Sequence, residues 1–204
     1  MQRIRDFTPT KRKEDVLPSK TSKNHTITDS NQLWETDLKY GFIQGEQKFF
    51  FILSYIDVYD RAVIDFHIGL RCEGKDAVQT LKRALLKRQQ FECETKPIIR
   101  SDNGPQYKSH VFGEACESLS VEHERIPPRT PNMNAHIEAF HRILEDECLS
   151  RYEFQSYEEA YQAAAEFMHF YNTKRIHSSI GFLAPIEFYN RNQQEDIPTK
   201  EVRL

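Results

Sequence analysis

The sequence predicts an α/β fold in which a mixed sheet of five strands is flanked by helices. Three strand patterns follow one another between residues 33 and 70, after which helical and strand patterns alternate, and two long helical patterns complete the body. The resulting order is βββαβαβαα. Hydrophobic residues make up 38% of the 204 residues and aromatic residues 12%, which suffices for the core of one domain.

The first three strands are predicted close together. Leu33–Leu38 alternates roughly between apolar and polar positions. Lys48–Val58 is rich in aromatic and β-branched residues, which is typical of a strand buried on both faces. Arg61–Leu70 follows across a short turn at residues 59–60, so we expect the second and third strands to be antiparallel neighbours.

The remaining elements follow from the spacing of apolar residues. They are a helix over Asp76–Gln89, a short strand over Pro97–Ser101, a helix over Ser109–Leu119, a strand over Val121–Ile126 and helices over Ala135–Leu149 and Tyr157–Tyr171. Asn-Gly and Gly-Pro after Asp102 favour a turn there. Ser156 and Glu159 form a capping-box pattern that marks the start of the last helix.

Both ends of the chain are polar. Residues 1–30 show no periodicity and are predicted to be a basic linker or tail, while the segment beyond Asn190 is predicted to be loose. Residues 1–23 hold seven Lys and Arg against three acids, a charge of +4, which leaves −7 on the remainder because the total is −3. The acidic total argues mildly against a nucleic-acid partner, and the basic arm on an acidic body is a pattern to explain rather than proof of a ligand.

Several protein classes are disfavoured. The longest apolar run, Phe49–Leu53, is too short to span a membrane, and no apolar stretch follows the basic start, so we expect an intracellular protein. The cysteines lack the close pairs that a structural zinc site needs, and we expect ordinary buried thiols. They are Cys72, Cys93, Cys116 and Cys148.

Three acids occupy unusual places in this pattern. Asp37 ends the first predicted strand, Asp102 follows the carboxyl end of the fourth, and Glu138 flanks the core stripe of its helix. If the first and fourth strands are adjacent, Asp37 and Asp102 lie side by side. Their repulsion favours a bound cation, and Mg²⁺ prefers such oxygen ligands. Three acids suffice for two ions about 3.5–4 Å apart, which is the arrangement that cleaves phosphodiesters.

Each acid has a plainer interpretation when it is taken alone. A strand-end Asp usually serves a turn or a cap, Asp-Asn-Gly is a turn signature, and a helical Glu is most often solvated. The combination of the three acids carries the prediction of chemistry, rather than any single one.

Four motifs together resemble the signature of the DDE transposase/integrase catalytic core. They are Trp34-Glu-Thr-Asp37, the SDNGPQY run at residues 101–107, the TPNMNAHIEAF run at residues 130–140, and residues 170–185, which resemble the tail of second-frame transposases of bacterial insertion sequences. Thirty-five residues separate Asp102 from Glu138, the spacing shared by retroviral integrases and many such transposases. The resemblance runs from about Asn31 to Tyr189.

The resemblance implies an RNase H-like core over residues 31–172, with a C-terminal extension over residues 173–204. It also implies DNA strand cleavage and strand transfer that depend on two Mg²⁺ or Mn²⁺ ions. Asp37 would bridge both ions, Asp102 would bind one and Glu138 the other. A homo-oligomer acting on transposon ends and target DNA, at the bacterial nucleoid in the cytoplasm, follows from the same resemblance.

By the same resemblance, further polar residues are expected to border the metals or face DNA. They are Asn103, Gln106, Lys108, Arg129, Asn134, His141, Arg142, Lys174, Arg175 and His177. For Lys174, Arg175 and His177, a solvated helix end that favours cations is an equally good interpretation.

Two departures from the family pattern bear on activity. Nothing before Asn31 fits a DNA-binding helix-turn-helix region or the retroviral His/Cys zinc domain, and the loop before Glu138 lacks the glycine that relatives often have. We therefore expect a catalytic core that needs a partner or a further segment to find transposon ends. The alternatives are a silent fragment that binds DNA or full-length transposase and regulates transposition, and, more weakly, a nuclease acting on RNA–DNA hybrids.

Overall fold

A computed structural model describes residues 20–127, 131–195 and 197–204 as a mixed sheet with helices on both faces. The strands are β1 Lys20–Thr21, β2 Thr26–Ile27, β3 Leu33–Ile43, β4 Lys48–Asp57, β5 Val63–Gly69, β6 Ile98–Ser101, β7 His123–Arg125 and β8 Val202–Arg203. The helices are α1 Gly74–Lys87, α2 Pro105–Lys108, α3 His110–Ser118, α4 Ala135–Glu147, α5 Tyr157–Thr173 and α6 Pro185–Gln193. The predicted α/β class is confirmed.

The main sheet has the strand order β1-β7-β6-β3-β4-β5. β3, β6, β7 and β1 run parallel, whereas β4 is antiparallel to both β3 and β5. The prediction that the second and third strands are neighbours is confirmed. The first and fourth strands are also adjacent, which is the condition under which Asp37 and Asp102 lie side by side. The sheet has six strands rather than the expected five, because the two-residue β1 adds to the edge of β7.

Each face of the sheet is covered by a different pair of helices. On one face α4 and α5 bury a cluster that includes Ile52, Phe140 and Met168. On the other face α1 and α3 bury a cluster around Leu81 and Phe112. The core stripe predicted for α4 is buried as expected, since its helical spacing matches the sheet-facing side of the helix.

Residues 26–27 and residues 202–203 meet in a second small sheet. β2 pairs antiparallel with β8, and Ile27 is buried in a third cluster with Leu33 and Tyr59. Residues 20–30 thus pack onto the body where a linker was predicted, and the segment after Asn190 continues α6 and ends in β8. Strands of two residues are too short to show a periodic pattern. The rest of the predicted tail, residues 1–19, lies outside the described residues.

The cysteines differ in exposure. All four cysteines are free thiols; Cys116 and Cys148 are buried as predicted, but Cys93 is exposed. Within the described ranges, no helix is long and apolar enough to cross a membrane.

A buried ion pair joins three parts of the fold. Arg88, just after α1, donates to both carboxylate oxygens of Asp60 in the β4–β5 turn, at 2.8 and 3.1 Å. The guanidinium of Arg88 also lies 3.7 Å from the centre of the Tyr189 ring in α6. Removing one member of such a buried pair leaves an uncompensated charge.

We predict that Arg88→Met lowers the free energy of unfolding by about 3–5 kcal/mol, because Asp60 is left buried and unpaired. Urea denaturation followed by circular dichroism measures this. The control is Arg191→Met, which breaks an exposed Arg191–Glu187 pair within α6 and is expected to cost only about 0.3–0.5 kcal/mol. Equal losses of unfolding free energy in the two variants would contradict the conclusion that the Arg88–Asp60 pair is a buried ion pair that stabilises the fold.

Candidate active site

The parallel pairing of β3 with β6 brings two acids together. The paired residues end where Thr36 of β3 lies opposite Ser101 of β6, so Asp37 and Asp102 are the next residues of the two segments. Asp37 was predicted at the end of its strand, but β3 continues to Ile43 because its pairing with β4 extends that far. The strand that ends at this level is β6.

Asp37 lies in an electrostatically unfavourable place. Its Oδ1 accepts the backbone N–H of Leu38 at 2.7 Å, and its Oδ2 lies 3.5 Å from Nδ1 of His141. Burial raises the pKa of Asp37 to about 7 in spite of that hydrogen bond, and the negative charges of Asp102 and Glu138 add to the rise. Asp37 is thus the point at which the charges of the three predicted acids act together.

Asp102 begins the turn that its sequence predicts. Its Oδ1 accepts the N–H of Gly104 at 2.8 Å, and Asn103 donates its side-chain amide to the carbonyl of Ile126 at 2.8 Å. A Cβ on Gly104 would lie 2.5 Å from Nε2 of the buried Gln106, so the turn closes only with glycine unless that amide moves. Asn103 and Gln106 therefore shape the loop beside Asp102.

Glu138 is exposed in the first turn of α4, and a carboxylate on β3 caps that turn. Oε2 of Glu35 accepts the N–H groups of His136 and Ile137 at 3.0 and 2.8 Å, and Oε1 lies 3.1 Å from Nδ1 of His136. Glu35 is completely buried, and burial raises its pKa to about 7. Sequence reasoning missed this residue, although an acid two positions before Asp37 in the same predicted strand, and hence on the same face, was a usable signal.

A second buried charge lies beside Glu35 in the sheet register. Arg100 of β6 pairs with Glu124 of β7 at 3.2 Å, and both side chains are completely buried. The guanidinium also donates to the carbonyls of Lys23 and Met133, at 2.6 and 3.2 Å. Arg100 therefore binds the segment that leads into α4.

Two residues predicted to face DNA lie inside the protein instead. His141 is buried against Asp37, and burial lowers its pKa to about 3, so the imidazole is neutral at pH 7. Asn134 is also buried. Asn134 and His141 thus lie on the side of α4 that packs toward β3.

The other residues predicted to contact DNA differ in their exposure and in their partners. Lys108, Arg142 and Lys174 are exposed, whereas Arg129 lies outside the described residues. Arg175 donates to Glu147 from Nε and Nη2 at 2.7–3.1 Å, so its charge is already compensated.

His177 follows Arg175 in the predicted phosphate-contact segment. It packs on the ring of Tyr171 at 4.8 Å, and burial together with Arg175 lowers its pKa to about 4. His177 and Arg175 are therefore engaged in contacts within the protein and fit neither a free phosphate contact nor a solvated cationic helix end.

The donor set suits a hard divalent cation. Asp37 and Asp102 supply carboxylate oxygens at adjacent positions. Burial, with the nearby negative charges of Asp102 and Glu138, raises the pKa of Asp37 to about 7, and a cation bound there would favour its ionised form. Among the residues described, no group of three or more His, Cys, Asp or Glu side chains is arranged to hold one ion. Mg²⁺ commonly takes one or two protein carboxylates and keeps several waters, so two acids suffice for one ion.

Comparisons with known proteins agree with this geometry. Residues 28–131 match the family described as Integrase core domain, and residues 119–185 match a second family of the same description. The chain is 29% identical over 158 residues to an uncharacterized 39.2 kDa protein of insertion element IS476 from Xanthomonas euvesicatoria. It is 25% identical over 176 residues to the putative transposase InsK of IS150 from Escherichia coli.

The matches to those relatives cover 78% and 86% of this chain but 44% and 60% of theirs. The chain therefore spans about half the length of the curated relatives that it matches.

Solved structures show the same fold. A chain of the simian T-cell lymphotropic virus intasome gives a TM-score of 0.67 at 18% identity, covering 91% of this chain and 63% of that one. The HTLV-2 integrase catalytic core domain in complex with magnesium gives 0.58 at 16% identity, covering 79% and 97%. The fold is thus that of the retroviral integrase catalytic cores, which are RNase H-like.

The chain belongs to the integrase core domain family. Within that family, its curated relatives are proteins of bacterial insertion elements. The resemblance of its motifs to DDE transposase/integrase catalytic cores of the insertion-sequence type is confirmed.

We predict that Asp102→Asn lowers the pKa of Asp37, because one of the negative charges that oppose its ionisation is removed. Carbon-13 NMR titration of the aspartate carboxyl groups in metal-free protein measures the shift. Asp146→Asn, an exposed position on α4, is the control and should leave the pKa of Asp37 unchanged. An unchanged pKa in Asp102→Asn would show that the two carboxylates are not neighbours.

Proposed function

We propose that the protein cleaves DNA strands and joins them to target DNA during transposition, with Mg²⁺ or Mn²⁺ as cofactor. The observation that carries the proposal is the adjacency of Asp37 and Asp102 at the end of β6, with the charge of Glu138 acting on the same carboxylate. Family membership and transposase relatives support the reaction class. The presence of all three acids favours an enzyme over a silent regulatory fragment.

Asp37, Asp102 and Glu138 are the residues that would hold the metal, two ions in all by analogy with the family. When bound, the ions supply charge neutralisation and an activated oxygen at the scissile phosphate. The magnesium in the HTLV-2 integrase core structure supports this choice of cation. Carboxylates suit it because they neutralise the cations while leaving positions open to phosphate.

The protein's own residues prepare this site. Asp37 must be ionised to act as a ligand, and its pKa of about 7 means that a proton competes with the cation near neutral pH. His141 is neutral, and its Nδ1 lies 3.5 Å from Oδ2 of Asp37, so it adds no positive charge that would compete with the cation. Gly104 and Leu38 each donate a backbone N–H to one carboxylate and so fix the orientation of Asp102 and Asp37.

We propose that DNA approaches the exposed side of this edge. Lys108 in α2 and Arg142, one turn beyond Glu138 in α4, are the exposed cations on the elements that carry or follow the acids. Water first attacks a phosphodiester at the transposon end and displaces a 3′-hydroxyl. That 3′-hydroxyl then attacks a phosphodiester of the target DNA and displaces the 3′-oxygen of the target strand, without a covalent protein–DNA intermediate.

The acting form is proposed to be a homo-oligomer on paired transposon ends, located at the bacterial nucleoid. The HTLV-2 integrase core has been solved in dimeric and trimeric forms, which supports assembly of this fold into oligomers. Recognition of the ends is assigned to a partner or to a further segment, because only about half the length of the curated relatives is matched.

We predict that Asp37→Asn, Asp102→Asn and Glu138→Gln each reduce strand transfer about a hundredfold or more, because each removes an acid that holds the metal. The assay uses pre-nicked transposon-end DNA with Mg²⁺, together with the partner or further segment that recognises the ends. Asp146→Asn, on the same helix as Glu138 but at an exposed position away from the site, should keep full activity. Activity that survives all three substitutions would refute the proposed enzyme.

We predict that Lys108→Gln and Arg142→Gln weaken DNA binding regardless of sequence. Each variant should reduce the slope of log affinity against log salt by about 1, because one phosphate contact is lost. Fluorescence anisotropy over a series of salt concentrations measures the slope. Lys82→Gln, on the exposed outer side of α1, should leave the slope unchanged, and an equal change in all three variants would argue against a DNA surface at the acidic edge.

A further inference from the structure

We propose that Glu35 is a positioning residue for the proposed reaction, because it fixes the start of α4 to β3 and thereby holds Glu138 beside Asp37. The inference rests on the proposed function, in which both acids hold the metal. Glu35 touches neither metal nor DNA in this account. It acts through the helix that carries Glu138.

The connection between the two acids is short. Glu35 and Asp37 are two residues apart on β3, so their side chains leave the same face of the sheet. The Glu35 carboxylate accepts the N–H of Ile137 at 2.8 Å, and Glu138 is the next residue. One hydrogen bond and three backbone steps, two along β3 and one along α4, therefore link Asp37 to Glu138.

The start of α4 depends on this contact from outside the helix. Four N–H groups in the first turn of a helix lack partners within it, and the N-cap side chain normally supplies one. The N-cap residue Asn134 makes no capping hydrogen bond. Glu35 satisfies two of these groups, those of His136 and Ile137, from the neighbouring strand.

The same pattern recurs on the strand that precedes Asp102. Arg100 lies two residues before Asp102, opposite Glu35 in the register of β6 and β3. Its guanidinium donates to the carbonyl of Met133, just ahead of α4. Glu35, two residues before Asp37, and Arg100, two residues before Asp102, are thus buried charged residues that hydrogen-bond the backbone at or just before the start of α4.

The test measures Mn²⁺ binding to the metal-free protein by electron paramagnetic resonance, without DNA or turnover. We expect Glu35→Val to weaken Mn²⁺ binding about tenfold, which is typical for loss of a residue that orients a metal ligand. Glu138→Gln should weaken binding to a similar degree. The double variant should bind no more weakly than Glu138→Gln alone, because positioning has no effect once the ligand is removed.

Two further variants separate positioning from stability. Glu35→Gln keeps an oxygen that can accept both N–H groups and should restore Mn²⁺ affinity to within about twofold of the wild type. Leu81→Ala, in the core cluster on the opposite face, should destabilise the protein without changing Mn²⁺ affinity. If Glu35→Val does not fold, Glu35→Asp replaces it, because its shorter side chain keeps the charge but cannot span to both donors.

The outcomes distinguish the two proposals. If Glu138→Gln weakens Mn²⁺ binding but Glu35→Val does not, or if the two losses multiply in the double variant, the positioning role is wrong. The same holds if Glu35→Gln is as impaired as Glu35→Val, or if Leu81→Ala loses the same affinity. If Glu138→Gln binds Mn²⁺ as the wild type does, the assignment of Glu138 as a metal ligand fails instead.

Discussion

The parallel pairing of β3 with β6 is the constraint on which the rest of the site depends. Only four residue pairs form this ladder, and it stops at Thr36 and Ser101 because the turn after Asp102 draws the chain away. Two acids more than sixty positions apart in the sequence thereby become neighbours. A parallel pair requires a crossover, and α1 supplies it across the face opposite α4.

The Asp37 carboxylate differs from the buried carboxylates of Asp60 and Glu124 in the charges that surround it. Asp60 has Arg88 and Glu124 has Arg100 within hydrogen-bond distance. Asp37, in contrast, faces a neutral histidine and two further acids, and its pKa rises to about 7. Burial raises the pKa of Glu35 and of Asp57 to about 7 as well, so the raised pKa alone does not single out Asp37. The two acids beside it, Asp102 and Glu138, are what favour a bound cation there, which supports the proposed metal site.

Much of this arrangement was predictable because it follows from periodic patterns. The long helices and the three-strand meander show clear apolar spacing. The adjacency of Asp37 and Asp102 was only a condition, because the order of strands along the sequence does not fix their order in the sheet. The strands β1, β2 and β8 were missed because two residues carry no period and their partners are distant in sequence. The inward direction of His141 and the cap by Glu35 depend on how α4 sits on β3, which residue spacing along one helix does not determine.

The most direct test of the central claim is a crystal structure of the protein soaked in Mn²⁺, with anomalous data collected at the manganese absorption edge. The account predicts an anomalous peak within coordination distance of carboxylate oxygens from both Asp37 and Asp102, with Glu138 turned toward the same site. A peak elsewhere, with these side chains unliganded and apart, would contradict it and leave the shared fold without the proposed chemistry.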